Sequence, residues 1–321
     1  MSRALAKIAA PEFDLALTLG CGQVFHWWRH GEGWLGMIGD SPCYAEQRGD
    51  TLLVPRGMEK VAAHYFALDH PLAKMRATFP NDPAMNAAAE ACRGLRLVRQ
   101  PHWECVATFI TSAQKAVAHI AQISHTLRQR YGRAVEWKGE RLFSYPDPAV
   151  LGALDEADLR ACALGYRAKN LLHAARMIAS GEVNFSNVTR LGDKAAAEAL
   201  QRLPGVGPKV ANCALLFGFE RLAAFPIDVW IERILRSIYF ARKRKVTAKR
   251  LREFSAHYFG PYGGYAQQYL FHQARTTQPR RSKSKWKSTP HSHLPTSVTC
   301  RSATLTQRLA SCSTYSARHL P

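Results

Sequence analysis

The chain has 321 residues, 47% of them hydrophobic, which is enough for a sizeable core and for two or three compact units. Its formal charge of +20 points to a polyanionic partner, because each phosphate neutralised by Lys or Arg releases condensed counterions. No apolar run approaches the roughly 20 residues needed to cross a bilayer, and the eight cysteines lack the paired spacing of a zinc or iron–sulfur site. Secretion, membrane insertion and a metal centre are therefore not expected. The thiols read as reduced and the location as intracellular: cytoplasmic or nucleoid in a bacterium, nuclear in a eukaryote.

Residues 13–56 read as an antiparallel sheet. Branched and aromatic residues recur in Gln23-Val24-Phe25-His26-Trp27-Trp28, Gly33-Trp34-Leu35-Gly36-Met37-Ile38 and Thr51-Leu52-Leu53-Val54, separated by turn residues at 30–33, 39–42 and 48–50. From about Met58 the apolar period becomes helical, with Val61, Tyr65 and Leu68 on one face. Asn81-Asp82-Pro83 reads as the cap of a helix carrying Met85 to Cys92. Further helices are expected over 103–112 and 116–131, the latter stopped at Gly132, and, after the segment 164–169, one running to Ile178. After the central stretch described next, helices are expected at 249–258 and 264–275.

Between them stands Leu203-Pro204-Gly205-Val206-Gly207-Pro208-Lys209, followed by Phe225-Pro226-Ile227-Asp228-Val229-Trp230. A helix over 194–202 ends before Pro204, Gly205 and Gly207 permit a tight reversal, and Pro208 suits the first position of the next helix. Such a hairpin exposes backbone N–H groups beside a helix N-terminus, a cradle for a DNA phosphate that reads backbone and not sequence. Val210, Ala214 and Phe217 share a stripe that anchors the second helix, and Lys209 lies off it. The positive end of the helix disfavours a second positive charge there, which suits an amine nucleophile. Asp228 is placed to cap the following helix, and its carboxylate is expected to be held ionised by backbone N–H groups.

The two segments resemble the helix-hairpin-helix, Gly/Pro-Asp (HhH-GPD) signature of base-excision DNA glycosylases, in the lysine-bearing 8-oxoguanine type. The resemblance runs from about residue 20 to 271, with its segments in the family's order. It implies an α+β protein: an N-terminal antiparallel β-sheet domain (1–95) and a mostly α-helical HhH-GPD catalytic region (96–275) of two helical subdomains with the cleft between them; beyond the resemblance, the composition of residues 276–321 reads as a basic, disordered tail. The resemblance also implies roles. Lys209 attacks C1′ and Asp228 stabilises the oxocarbenium character there. Gly22, Cys213, Gln267 and Phe271 form the base pocket, with the Gly22 carbonyl accepting the N7–H that distinguishes 8-oxoguanine from guanine. Tyr166 wedges between bases, Arg167 reads the estranged cytosine together with the Gln114 position, and Gly205, Val206 and Gly207 hold phosphate. The chain departs from the family at Gln114 and Lys115, normally asparagines, at His119, normally arginine, and at Trp230, often histidine.

The expected function is thus a bifunctional 8-oxoguanine DNA glycosylase/AP lyase, monomeric, without metal or organic cofactor, acting on double-stranded DNA that contains an oxidised purine. An alkylpurine glycosylase of the same superfamily, which pairs the aspartate with water and lacks the lysine, and a non-catalytic DNA-binding hairpin are the alternatives. Nine Lys or Arg and no acid stand from Arg275 to the C-terminus, leaving 35 bases against 24 acids, or +11, in the body. The tail reads either as a DNA-tethering arm or as a translated alternate frame.

Overall fold

The structure is a computed structural model and describes residues 4–113, 115–241 and 245–277. Its N-terminal part is an antiparallel sheet of β1 (Leu5–Ala9), β2 (Trp28–His30), β3 (Gly33–Ile38), β4 (Ser41–Arg48) and β5 (Thr51–Pro55), in the order β1-β5-β4-β3-β2. Side-chain alternation along β3 decides what covers each face. Trp34 and Ile38 face a core with Phe13, which precedes the helix Leu15–Gly20, and with Tyr65 and Phe66 at the end of the helix Glu59–Tyr65. Leu35 and Met37 face the opposite way, onto Trp137 and Leu142 of a hairpin made by β6 (Ala134–Trp137) and β7 (Glu140–Phe143). There Trp137 stacks on Tyr44 with ring centroids 5.7 Å apart.

Several local expectations change in three dimensions. Residues 23–27 are not a strand: the Gln23 amide donates to the Thr18 and Arg96 carbonyls and its oxygen accepts from the Val98 N–H, so side-chain bonds replace a sheet ladder. β1 and the β6–β7 hairpin carry too short a pattern to stand out in sequence. Val61 is exposed, and Ala62 and Tyr65 make the core contacts of their helix. Gly132 does end the helix Val117–Tyr131, but with an ordinary φ of −79°. Its glycine is required because a side-chain carbon would lie 2.1 Å from the Ser144 carbonyl oxygen. Asp82 caps as expected, accepting from the Ala84 and Met85 N–H groups ahead of the helix Pro83–Ala91.

The larger core is helical and is built around the helix His102–Thr111, which is buried nearly all round and touches both the hairpin helix Pro208–Phe217 and the helix Arg167–Ala179. Leu72, Met75, Met85, Ala88 and Cys92 belong to this core with Tyr265 and Tyr269 of the C-terminal helix Gly263–Thr277. Sheet and helices are joined by a buried cluster: Glu104 pairs with Arg128 and lies 3.2 Å from His26 Nδ1, and His26 Nε2 donates to the Met37 carbonyl in β3 at 2.8 Å. Among the described residues, all six cysteines are buried free thiols, and no helix is long and apolar enough to cross a membrane. The basic tail, beyond Thr277, lies outside the described residues.

Candidate active site

The central hairpin joins the helices Asp193–Gln201 and Pro208–Phe217. Gly205 supplies the reversal, with φ +83°, and Val206 is buried with its N–H on the Leu203 carbonyl at 3.1 Å. Gly207 has an extended backbone (φ −87°, ψ −177°) and occupies the N-cap position, exposed beside Pro208. Gly205 and Gly207 thus have different duties, one conformational and one of access.

Lys209 stands in the first turn, half-buried. Its Nζ lies 3.4 Å from Ser112 Oγ and 5.1 Å from the centre of the Phe109 ring. Phe109 is itself fixed by stacking on Phe217 (5.4 Å) and by the edge of Phe25 (6.4 Å). The amine is therefore held over a rigid aromatic face. Phe109 and Ser112 read in sequence as core and helix end; only their i, i+3 spacing toward the hairpin helix marks them as the floor of this site. One turn on, the Cys213 thiol is buried and its pKa raised by desolvation, with the Lys209 charge opposing the rise. Asp228 accepts from the Ile231 N–H at 2.9 Å as the N-cap of the helix Val229–Ile234. Burial pushes its carboxyl above the usual range, against the pull of the Ile231 N–H and of Lys209. Desolvation, which sequence reasoning left out, outweighs the capping bonds. The Lys209 charge thus acts on both Cys213 and Asp228, opposing the rise that burial gives each.

Gly22 has φ +91°, and a side-chain carbon on it would lie 3.5 Å from Phe271 Cε1. It is therefore next to the half-buried Phe271 ring of the C-terminal helix; four residues before Phe271 on that helix, the buried Gln267 carries an amide oxygen with no hydrogen-bond partner among the described residues. A buried amide oxygen in that state calls for an external donor. Tyr166 is 56% exposed at the start of the helix Arg167–Ala179, thrown outward by left-handed backbone at Ala163 (φ +62°) and Gly165 (φ +60°). Arg167 lies inward: its guanidinium sits 4.3 Å from the Tyr166 ring centre and its Nε donates to the Ala113 carbonyl at 2.8 Å. Gln114 lies outside the described residues. Trp230 is capped by the Arg233 guanidinium, 5.3 Å from its ring centre.

Two family profiles cover the chain in tandem. Residues 6–106 match the 8-oxoguanine DNA glycosylase N-terminal domain, and residues 107–257 match the HhH-GPD superfamily of base excision DNA repair proteins. A probable N-glycosylase/DNA lyase of Methanothermobacter thermautotrophicus is 32% identical over 84% of this chain and 96% of its own. The chain belongs to this family. Within it, the N-glycosylase/DNA lyase OGG1 of Arabidopsis thaliana is 27% identical over 83% of this chain and 78% of its own. Two solved structures superpose on nearly the whole described body. The structure of MBOgg1 with a low-affinity DNA ligand gives a TM-score of 0.80 at 30% identity, covering 85% of this chain and 95% of its own. The Clostridium acetobutylicum 8-oxoguanine glycosylase/lyase, bound to duplex DNA with cytosine opposite 8-oxoguanine, gives 0.78 at 29%, covering 83% and 92%. The α+β architecture of an N-terminal sheet followed by an HhH-GPD helical region is that of the family.

Proposed function

We propose that this protein removes 8-oxoguanine from double-stranded DNA and then nicks the strand, with Lys209 as nucleophile and Asp228 as its charge partner. The observation that carries the reading is the Lys209 amine held over the fixed Phe109 face at the first turn of the hairpin helix, with Asp228 fixed by its cap on the helix that follows. The target nucleotide must leave the stack, since neither C1′ nor the base edge is reachable inside a duplex. Tyr166 fills the gap it leaves. The base then lies against Phe271, gives its polar edge to the Gln267 amide oxygen and its N7–H to the Gly22 carbonyl.

The Lys209 amine attacks C1′ as the C1′–N9 bond breaks and the base departs with the bonding pair. Positive charge developing at C1′ and on the sugar oxygen is stabilised by the Asp228 carboxylate, whose raised proton affinity also suits it to take the proton that Lys209 sheds. Ring opening gives the Schiff base. Loss of a C2′ proton then expels the 3′ phosphate by β-elimination, and water releases Lys209. Reading the estranged cytosine requires Arg167 to exchange the Ala113 carbonyl for a base edge. The protein acts as a monomer on the lesion.

The test is borohydride trapping on an 8-oxoguanine:cytosine duplex. The native protein should give a covalent adduct and Lys209→Gln none. Base release by the native protein without any adduct would instead indicate water as nucleophile, the alkylpurine-type mechanism.

A further inference from the structure

Sequence directs attention to Gly22 alone, but the structure reveals how the loop around it is held. Three of the four carbonyls in residues 20–23 accept hydrogen bonds from side chains. Gly20 O accepts from Arg275 Nη2 at 2.7 Å, Cys21 O from Gln268 Nε2 at 3.2 Å, and Gln23 O from Gln100 Nε2 at 2.9 Å. The Gly22 carbonyl is the exception: among the described residues no donor is bonded to it. Gln268 and Arg275 are seven apart on the C-terminal helix and so share a face, and Phe271 stands between them at i+3 of one and i−4 of the other. The same helix therefore carries the base-contacting pair Gln267 and Phe271 and, beside it, a pair that fastens the loop opposite. Arg275 also packs on the loop itself, since a side-chain carbon on Gly22 would meet its Nη1 at 2.6 Å, and its guanidinium carbon lies 5.5 Å from the Phe271 ring centre.

We propose that Gln268 and Arg275 are positioning residues that set lesion specificity by immobilising the two peptides that precede Gly22, whose far side Gln100 holds at the Gln23 carbonyl, leaving the Gly22 carbonyl as a fixed acceptor for the flipped purine. The inference rests on the 8-oxoguanine reading above. At N7 the oxidised base presents a hydrogen and guanine a lone pair. A fixed carbonyl gains a hydrogen bond with the first and faces a second lone pair with the second, whereas a carbonyl free to rotate loses both effects. Preorganisation of this kind acts on base recognition and not on Lys209 chemistry.

The experiment uses the full chain and two duplexes, one with 8-oxoguanine opposite cytosine and one with a preformed abasic site opposite cytosine. Single-turnover base release is measured on the first and nicking on the second. Gln268→Met and Arg275→Leu should each lower base release roughly tenfold, the worth of about one hydrogen bond, with nicking of the abasic duplex changed by less than about twofold. Arg275→Lys, which keeps a donor, should recover most of the loss. Arg275 is half-exposed, so Arg275→Leu decides the matter if Gln268→Met does not fold. An unchanged ratio of the two activities, or an equal fall in both, would overturn the positioning role. Absence of 8-oxoguanine release by the native protein would overturn the parent reading and this one with it.

Discussion

The Lys209 amine lies over the face of Phe109, with 5.1 Å between Nζ and the ring centre. The ring offers a cation a weak attraction and a neutral amine a dry, uncrowded approach to substrate. Replacing the ring by leucine removes the face but keeps the core filled. Phe109→Leu should reduce the trapping rate severalfold with a stability loss of about 1 kcal/mol, as for a near volume-conserving core exchange. Borohydride trapping and urea unfolding of one preparation measure both.

Asp228 combines a cap with a charge. Asparagine caps about as well as aspartate but brings no charge, whereas alanine does neither. Asp228→Asn should lower the single-turnover rate by about 10² to 10³, and Asp228→Ala should add a stability loss of about 1 kcal/mol. Equal rates for the native protein and Asp228→Asn would remove the charge from the mechanism.

The same residue gives a pH signature. Burial raises its folded pKa above the ordinary 3.8, so between those two values the unfolded chain releases the proton first. The favourable contribution to folding is present below 3.8 and lost as pH rises through the folded value. Asp228→Asn abolishes that loss. The substitution should raise Tm relative to the native protein at pH 7, and the advantage should shrink towards pH 4, as thermal unfolding at the two pH values will register.

His70 titrates in the opposite sense. Arg99 Nη2 donates to its Nε2 at 2.9 Å, which leaves Nδ1 to donate to the Tyr265 hydroxyl at 2.8 Å in the neutral ring. Burial, with the Arg99 charge, lowers its pKa to about 4. Unfolded histidine takes up a proton near 6.5, so stability is full above that value and lost as pH falls toward 4. His70→Gln should flatten the fall between pH 6.5 and 4 in a urea midpoint series.

The two hairpin glycines should separate folding from DNA binding. Gly205→Ala puts a side chain at φ +83°, within 3.0 Å of Asn170 Cβ, and should cost about 1–3 kcal/mol of stability. Gly207→Ala meets nothing within 4 Å and has no positive φ, so it should cost about 1 kcal/mol or less. Gly207→Ala places its methyl group in the open, proposed phosphate cradle and should weaken duplex binding about tenfold, whereas the methyl of Gly205→Ala points at Asn170 and Ile110 and acts on folding. Fluorescence anisotropy at two salt concentrations reads this effect.

Sequence by itself determined what local chemistry determines. Glycine, proline, lysine and aspartate spacing over residues 203–228 fixed the hairpin, the amine on its helix and the cap on the next, because turns and caps depend on a few neighbouring residues. The i, i+4 relation of Gln267 and Phe271 was legible for the same reason. Only tertiary structure decided what depends on distant segments meeting. It laid Phe109 and Ser112 beneath Lys209 and buried Asp228 until desolvation outweighed its capping bonds. It turned Arg167 inward to Ala113, and it brought Gln268 and Arg275 some 250 residues along the chain to the Cys21 and Gly20 carbonyls ahead of Gly22. Burial and long-range side-chain-to-backbone bonds have no period in sequence, so they were decided only when the chain closed on itself.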